Sequence, residues 1–423
     1  MPGVEAQVVG TELERVLPKV QVLFDRDDTF FSQIEKRPVE VVSARDMRIP
    51  LEMSPQSKFG YVDIDGGDLG RGDSPQFDKA IINTVNMAQK VEFTAKAMWA
   101  TDSTRKAVLN NFRYNLATAM KEFRRNVDSQ CMGNGTGTLG TITTIVTAGG
   151  TDTYTMTTDG WRARLIRQGM NLNVFNSTLT ICRTAGGPNN ETVCTFYDIA
   201  NSTIKVTPSV AGVTVGDLIV TSGLQSTPPV GLLGVEYHDS NASTGTWLGF
   251  DRSQTPQIRA SAVNANGAAL TLPLPRLAIN KIGDRVGIDK RKNLNAWTHP
   301  AQQQAYEELG FNVIRIDKQA KEEGLDMYFN DDMRMAGAPL EVSYSWDRTR
   351  IDFIDYDVWG RAEMHPAGFY QNPDDGKKVF ETRGPSGGVA TSWIFYIICS
   401  FNLFMNNPAG ASYIYNLAVP SGY

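Results

Sequence analysis

The chain has 423 residues, 41% of them hydrophobic and 21% charged, which supplies large cores, suggests two or three domains of ~150 residues, and excludes a disordered polymer. Lys plus Arg number 41 against 46 Asp plus Glu, a formal net charge of −5 that excludes a binder of nucleic acid basic over its whole surface. Four cysteines (Cys131, Cys182, Cys194, Cys399) without C-x-x-C spacing and three scattered histidines argue against a zinc site and for a reducing compartment.

The opening MPGVEAQVVGTELERV has no basic stretch followed by an apolar one, so no signal peptide is expected. Residues 1–34 read as an arm whose end, Phe30-Phe31, packs against something distant. From Glu35 to Asp73 six basic and eight acidic residues crowd together, and strand-like stretches Val39–Met53 and Phe59–Asp65 flank the turn residues Ser54-Pro55-Gln56-Ser57. This predicts a long charged hairpin that is hard to bury in its own domain and marginal if it stands alone.

After a short strand at Val91–Ala97, Thr101 or Asp102 can cap a helix of about 28 residues, roughly 40 Å at 1.5 Å per residue. Leu109, Phe112, Leu116, Met120, Phe123 and Val127 recur at steps of three or four and form one apolar stripe. Arg105, Lys106, Arg113, Lys121, Arg124 and Arg125 give its back a basic character, against a single acid, Glu122, so that it suits an acidic partner or solvent. Glycines in GNGTGTLG then lead into the β-branched TITTIV. Short strands at Thr178–Cys182, Thr192–Tyr197, Thr203–Thr207 and Val213–Thr221 suggest a small barrel or sandwich inserted between Val174 and Ala262. Helical text resumes after Pro273, at Pro300–Leu309 and near Asp317–Glu323, followed by strands at Leu340–Trp346 and Arg350–Val358. The apolar run Trp393–Met405 is too short to span a bilayer and reads as a buried strand, so no membrane contact is expected.

Chemistry-bearing motifs are sparse. Gly135, Gly137 and Gly140 satisfy G-x-G-x-x-G, but the order helix, glycines, strand is the reverse of a dinucleotide site. Arg71-Gly72-Asp73 and the N-x-Ser/Thr triplets at Asn176, Asn190, Asn201 and Asn241 carry little meaning without secretion. Asp331-Asp332, Glu307-Glu308 and the trio Asp352, Asp355 and Asp357 are the acid groups a hydrolase could use, with Asp331 and Glu341 as the pair for a β-rich carbohydrate-active enzyme. No G-x-S-x-G, H-E-x-x-H or P-loop occurs, so no catalytic residue, cofactor or metal ligand is assigned. An inventory this empty favours an architectural role.

The order of elements, carried by VEFTAKAMWATDSTRKAVLNNFRYNLATAMKEFRRNVDSQCMGNGTGTLG, resembles the major capsid proteins of tailed bacteriophages, the Hong Kong ninety-seven-type fold. In that family a strand leads into a spine helix ending in a glycine-rich turn. Gly216-Asp217-Leu218-Ile219 and Gly249-Phe250-Asp251-Arg252-Ser253 are similar to the β domain inserted in some members, and Asn407-Pro408-Ala409 to the return into the peripheral domain. The resemblance implies an α+β chain divided into arm (1–34), extended hairpin loop (35–78), peripheral domain with spine helix (79–150), axial domain (151–172 and 263–338), inserted β-barrel (173–262) and return strands (339–423). It further implies self-assembly through hexamers and pentamers into an icosahedral shell around double-stranded DNA, touched weakly and without sequence preference, in the virion after assembly in the host cytoplasm. A separate scaffolding protein is expected because only about thirty residues precede the hairpin; a portal and a decoration or cement protein are further partners. A nanocompartment shell is the alternative within the same fold. The inter-subunit hairpin would present Arg45, Arg48, Lys58, Asp63, Asp65, Asp68 and Asp73 to a neighbour whose spine helix shows Arg113, Lys121, Arg124 and Arg125. Such pairs set register at ~0.2–1 kcal/mol each, leaving stability to apolar burial. Lys58 has no identifiable asparagine partner, so a non-covalent shell is expected.

Overall fold

The computed structural model describes residues 30–37, 40–41, 46–54, 59, 61, 65, 74–94, 119–157, 165–184, 190–198, 201–287, 289, 293–317, 333–373, 375–383 and 389–421. A single turn of helix, α1 (Phe30–Gln33), precedes the short β1 (Glu40–Val41) and the hairpin strands β2 (Asp46–Ser54) and β3 (Gln76–Asn83). The spacing predicts the hairpin's return strand at 59–65, whereas β2 pairs antiparallel with β3 from Asp46↔Asn83 to Ser54↔Gln76. Alternating apolar residues mark a strand but not its partner, and Ala80 and Ile82 reach the core where Phe59 and Tyr61 do not.

β4 (Val85–Thr94) follows directly and joins the sheet that carries the principal core. Its centre is β20 (Val389–Met405), with β18 (Trp359–Phe369) and β19 (Phe380–Arg383) along one edge. Because β4 and β18 both pair with residues 397–401, they flank β20 on opposite sides. Phe395, Ile397, Cys399, Phe401 and Leu403 alternate into the core, as the period of two requires of a strand buried on one face. Helix α2, described over 119–131, supplies Met120, Phe123 and Val127 to the same core.

The helix exits through Gly135 (φ +88°) and Gly137 (φ +65°) into β5 (Thr138–Ala148). β6 (Thr151–Met156), β7 (Asn171–Phe175), β8 (Thr192–Asp198), β9 (Thr203–Thr207) and β10 (Leu218–Thr221) complete a closed barrel in the order β10-β5-β6-β9-β8-β7. The barrel thus begins at Thr138, not at 173, and ends at Thr221, not at 262. Closure decides this: β5 pairs with β10 some seventy residues later, a contact no local pattern announces. Thr178–Cys182, expected as a strand, is a turn held on Asn176, whose Oδ1 accepts the N–H groups of Thr180 (2.8 Å) and Ile181 (2.9 Å).

Residues 222–260 return to the body through α3 (Val235–His238) and a two-strand ribbon, β11 (Thr246–Trp247) with β12 (Phe250–Asp251). A second sheet runs β13-β21-β17-β14-β16-β15, from β13 (Ser261–Asn264), β14 (Leu294–Thr298), β15 (Arg334–Met335), β16 (Ala338–Val342), β17 (Ile351–Asp355) and β21 (Ser412–Tyr415). Helix α4 (Pro273–Val286) covers it with Ala278, Ile279 and Ile282, a core separate from the first. Helix α5 (Pro300–Asp317) continues beyond the Leu309 that the sequence suggests, and the candidate helix after Asp317 lies outside the described residues.

Candidate assembly surface

Residues opposite one another in the hairpin share a face. Met47 with Ile82, Ile49 with Ala80 and Leu51 with Asp78 form the inner face, where Met47, Leu51, Ala80 and Ile82 are buried in the principal core. The hairpin base is therefore covered by its own chain. Ile81 N–H donates to Leu248 O (2.9 Å), and Gln257 Nε2 donates to Met53 O (3.1 Å).

The outer face pairs Arg48 with Ile81, Pro50 with Lys79 and Glu52 with Phe77, and Phe77 is 66% exposed. Beyond β2, Phe59 and Tyr61 are almost wholly exposed, their rings 6.3 Å apart. Aromatic side chains left in water on a ribbon are the expected anchors of an interface, since burying each contributes ~2–3 kcal/mol. Charge density drew the sequence argument to the acids; the i, i+2 pair Phe59/Tyr61 was the signal it passed over.

Asp65 is exposed and Arg48 half-buried in β2, its Nε enclosed without a hydrogen-bond partner. Arg45, Lys58, Asp63, Asp68 and Asp73 lie outside the described residues, as do Leu109, Phe112, Arg113 and Leu116 of the spine helix. On the described half of that helix Lys121 is exposed, and Arg125 is held by Glu122 at 3.8 Å. Arg124 does not belong to a basic back: it is 6% exposed. Four residues after Met120 and three before Val127, it stands within the apolar stripe, one turn from Asp128.

Asp128 is the buried acid of this region. Phe31 N–H donates to its Oδ1 (3.1 Å), and burial pushes its carboxyl up to about 6 against the opposing pull of that hydrogen bond and of Arg124. The ring of Phe30, wholly buried, meets Trp297, Trp346 and Trp359 edge-on at 5.4, 5.7 and 5.9 Å. His238, also buried, accepts the Trp247 indole N–H at Nδ1 (3.1 Å), so Nε2 carries the proton toward Leu403 O (3.2 Å); burial holds its pKa down to about 3.

The acids that could serve hydrolysis have structural duties. Asp352 accepts from Arg350 (2.7 Å) and from the Trp346 indole (2.8 Å), while Asp355 Oδ1 caps the turn at Asp357 N–H (3.0 Å). Asp239, beside them, is buried with both carboxyl oxygens unbonded, and burial pushes its carboxyl well above the usual range. Asp331, half of the proposed acid pair with Glu341, lies outside the described residues. A cleft of about 320 Å³ on the barrel contains one acid, Asp152, whose oxygens are taken by Thr147, Tyr154 and the Val210 N–H. Among the described residues no group of three or more His, Cys, Asp or Glu could hold a metal ion, and no helix is long and apolar enough to cross a membrane.

No family model matches the chain, and no curated protein does. Among solved structures it is similar to the Cyanophage A-1(L) capsid asymmetric unit, with a TM-score of 0.52 at 10% identity over 91% of this chain and 90% of that one. The capsid of a native GTA particle gives a TM-score of 0.41 at 12% identity, covering 93% and 91% of the two chains. The capsid of Cyanophage P-SCSP1u gives 0.42 at 9% identity over 92% and 88%. The chain has the α+β fold of a phage capsid protein.

Proposed function

We propose, from that fold, that the chain is a shell subunit, copies of which close through hexamers and pentamers into an icosahedral capsid around packaged DNA. One observation carries the reading: the likeness to the cyanophage capsid runs through nine-tenths of both chains, barrel and hairpin included. The exposed Phe77, Phe59 and Tyr61 supply a contact that a solitary chain leaves in water. In this reading the sheet around β20, with α2, is the peripheral domain, the sheet under α4 the axial domain, and the hairpin reaches a neighbour through its outer face and tip. Apolar burial holds the shell and the surrounding charges choose register. A scaffolding protein would guide closure, a portal would occupy one vertex, a decoration or cement protein would add to the outside, and weak contacts to DNA would line the lumen. The subunit would pass from host cytoplasm to virion.

Electron microscopy and sedimentation of the expressed full chain, alone and with a co-expressed scaffold, test this. Closed shells of uniform size are expected. Phe77→Ser should reduce shell yield at least tenfold while the subunit's denaturation midpoint stays within about 0.5 kcal/mol of the parent. A chain that stays monomeric at high concentration under both conditions would refute the proposal, and DNA-filled particles would separate a capsid from a nanocompartment.

A further inference from the structure

The chain enters its folded body at residues 30–37, and this short stretch touches several separate parts of the molecule. Phe30 sits among Trp297 of β14, Trp346 and Trp359 of β18, which belong to different sheets. Phe31 donates its N–H to Asp128 of the spine helix, packs on Phe401 of β20 at 4.9 Å, and lies under the Arg361 guanidinium at 4.6 Å. Arg361 N–H donates to Glu35 O (3.0 Å) and Arg37 N–H to Arg361 O (3.3 Å), so β18 grips the same stretch along its backbone. We propose that residues 30–37 are a clasp joining the spine helix to both sheets, closed by proton uptake at Asp128 and loosened by its loss.

The electrostatic surroundings support a single controlling group. From α1 only backbone N–H groups, those of Phe30 and Phe31, face the Asp128 carboxyl. Its own helix contributes Arg124 and the thiol of Cys131, which burial pushes well up. Neighbouring strands bring Arg361, engaged with Glu363 at 3.0 Å, and Cys399, which burial pushes up to about 12. Glu363 in turn meets Lys36 of the clasp at 3.9 Å. No second carboxylate hydrogen-bonds the Phe31 N–H among the described residues.

The direction follows from linkage. With the clasp open, Asp128 is solvated near its ordinary 3.8; closed, it stands at about 6, so the closed state holds the proton more tightly. Closing is therefore favoured as pH falls from above 6 toward 3.8, and opening should be about tenfold rarer at pH 5 than at pH 7.5. The clasp lies within one chain, so this inference stands apart from the shell reading.

Hydrogen exchange by mass spectrometry on the purified full-length chain tests it. After correction for intrinsic exchange, amides in 30–34 should open about tenfold less often at pH 5 than at pH 7.5. Asp128→Asn should abolish that dependence without altering exchange in the barrel strand β6. Equal protection of 30–34 at both pH values, or a dependence that survives in Asp128→Asn, would overturn the proposal. Should that variant misfold, the parent protein decides alone: a midpoint near pH 6 supports the clasp, and one near pH 4 overturns it.

Discussion

Phe30→Ala is the sharpest test of how the two sheets are joined. The side chain has no exposed surface and makes three edge-on ring contacts, at 5.4, 5.7 and 5.9 Å, with tryptophans drawn from both sheets. Emptying a buried phenylalanine site costs about 3–5 kcal/mol, transfer and cavity together, and this includes what the ring pairs add. A socket walled by three indoles cannot collapse easily, because Trp297 donates its own N–H to Tyr356 Oη (2.7 Å) and Trp346 donates to Asp352. The loss should therefore fall at about 4 kcal/mol, a large share of the ~5–15 kcal/mol that holds a folded domain together. Urea denaturation of the unassembled chain, followed by tryptophan fluorescence, reads the effect where it occurs. Phe30→Leu should lie between the parent and the alanine variant. A loss below about 1 kcal/mol, the level of an ordinary surface substitution, would show that the socket does not depend on its occupant.

Other outcomes follow from the same contacts. Arg350→Met leaves Asp352 buried without its cation and should cost about 3–5 kcal/mol in a denaturant titration, whereas an effect under 1 kcal/mol would mean the pair is solvated. His238 is held neutral down to about pH 3, so the unfolded chain binds the extra proton between 6.5 and 3. Stability from this site is complete above pH 6.5 and falls by about 1.4 kcal/mol per unit below it, a slope that His238→Gln should remove in pH-dependent unfolding. Asp128 acts with the opposite sign, so acid loosens the Trp247–His238–Leu403 contact while it tightens the clasp. Gly234→Ala would set a Cβ 2.2 Å from Cys131 O, a backbone atom, and should cost about 1–3 kcal/mol by thermal unfolding. Gly149→Ala, with nothing within 4 Å but φ at +60°, should cost about 1 kcal/mol.

Sequence alone determined what repeats at short range. The strand around Phe395–Leu403, the start of α5 at Pro300, β9 at Thr203–Thr207 and the Met120–Phe123–Val127 stripe were legible because burial of one face imprints a period of two or 3.6 on neighbouring residues. The order of such segments, together with the glycine-rich exit, sufficed for a capsid-like fold. Tertiary structure decided the partners. It moved the hairpin's return strand to Gln76–Asn83, drew Thr138–Met156 into the barrel, and turned Arg124 from a surface cation into a neighbour of Asp128. Periodicity says that a face is buried but never against what, because the energy of pairing belongs to two stretches of chain at once and only one of them is local.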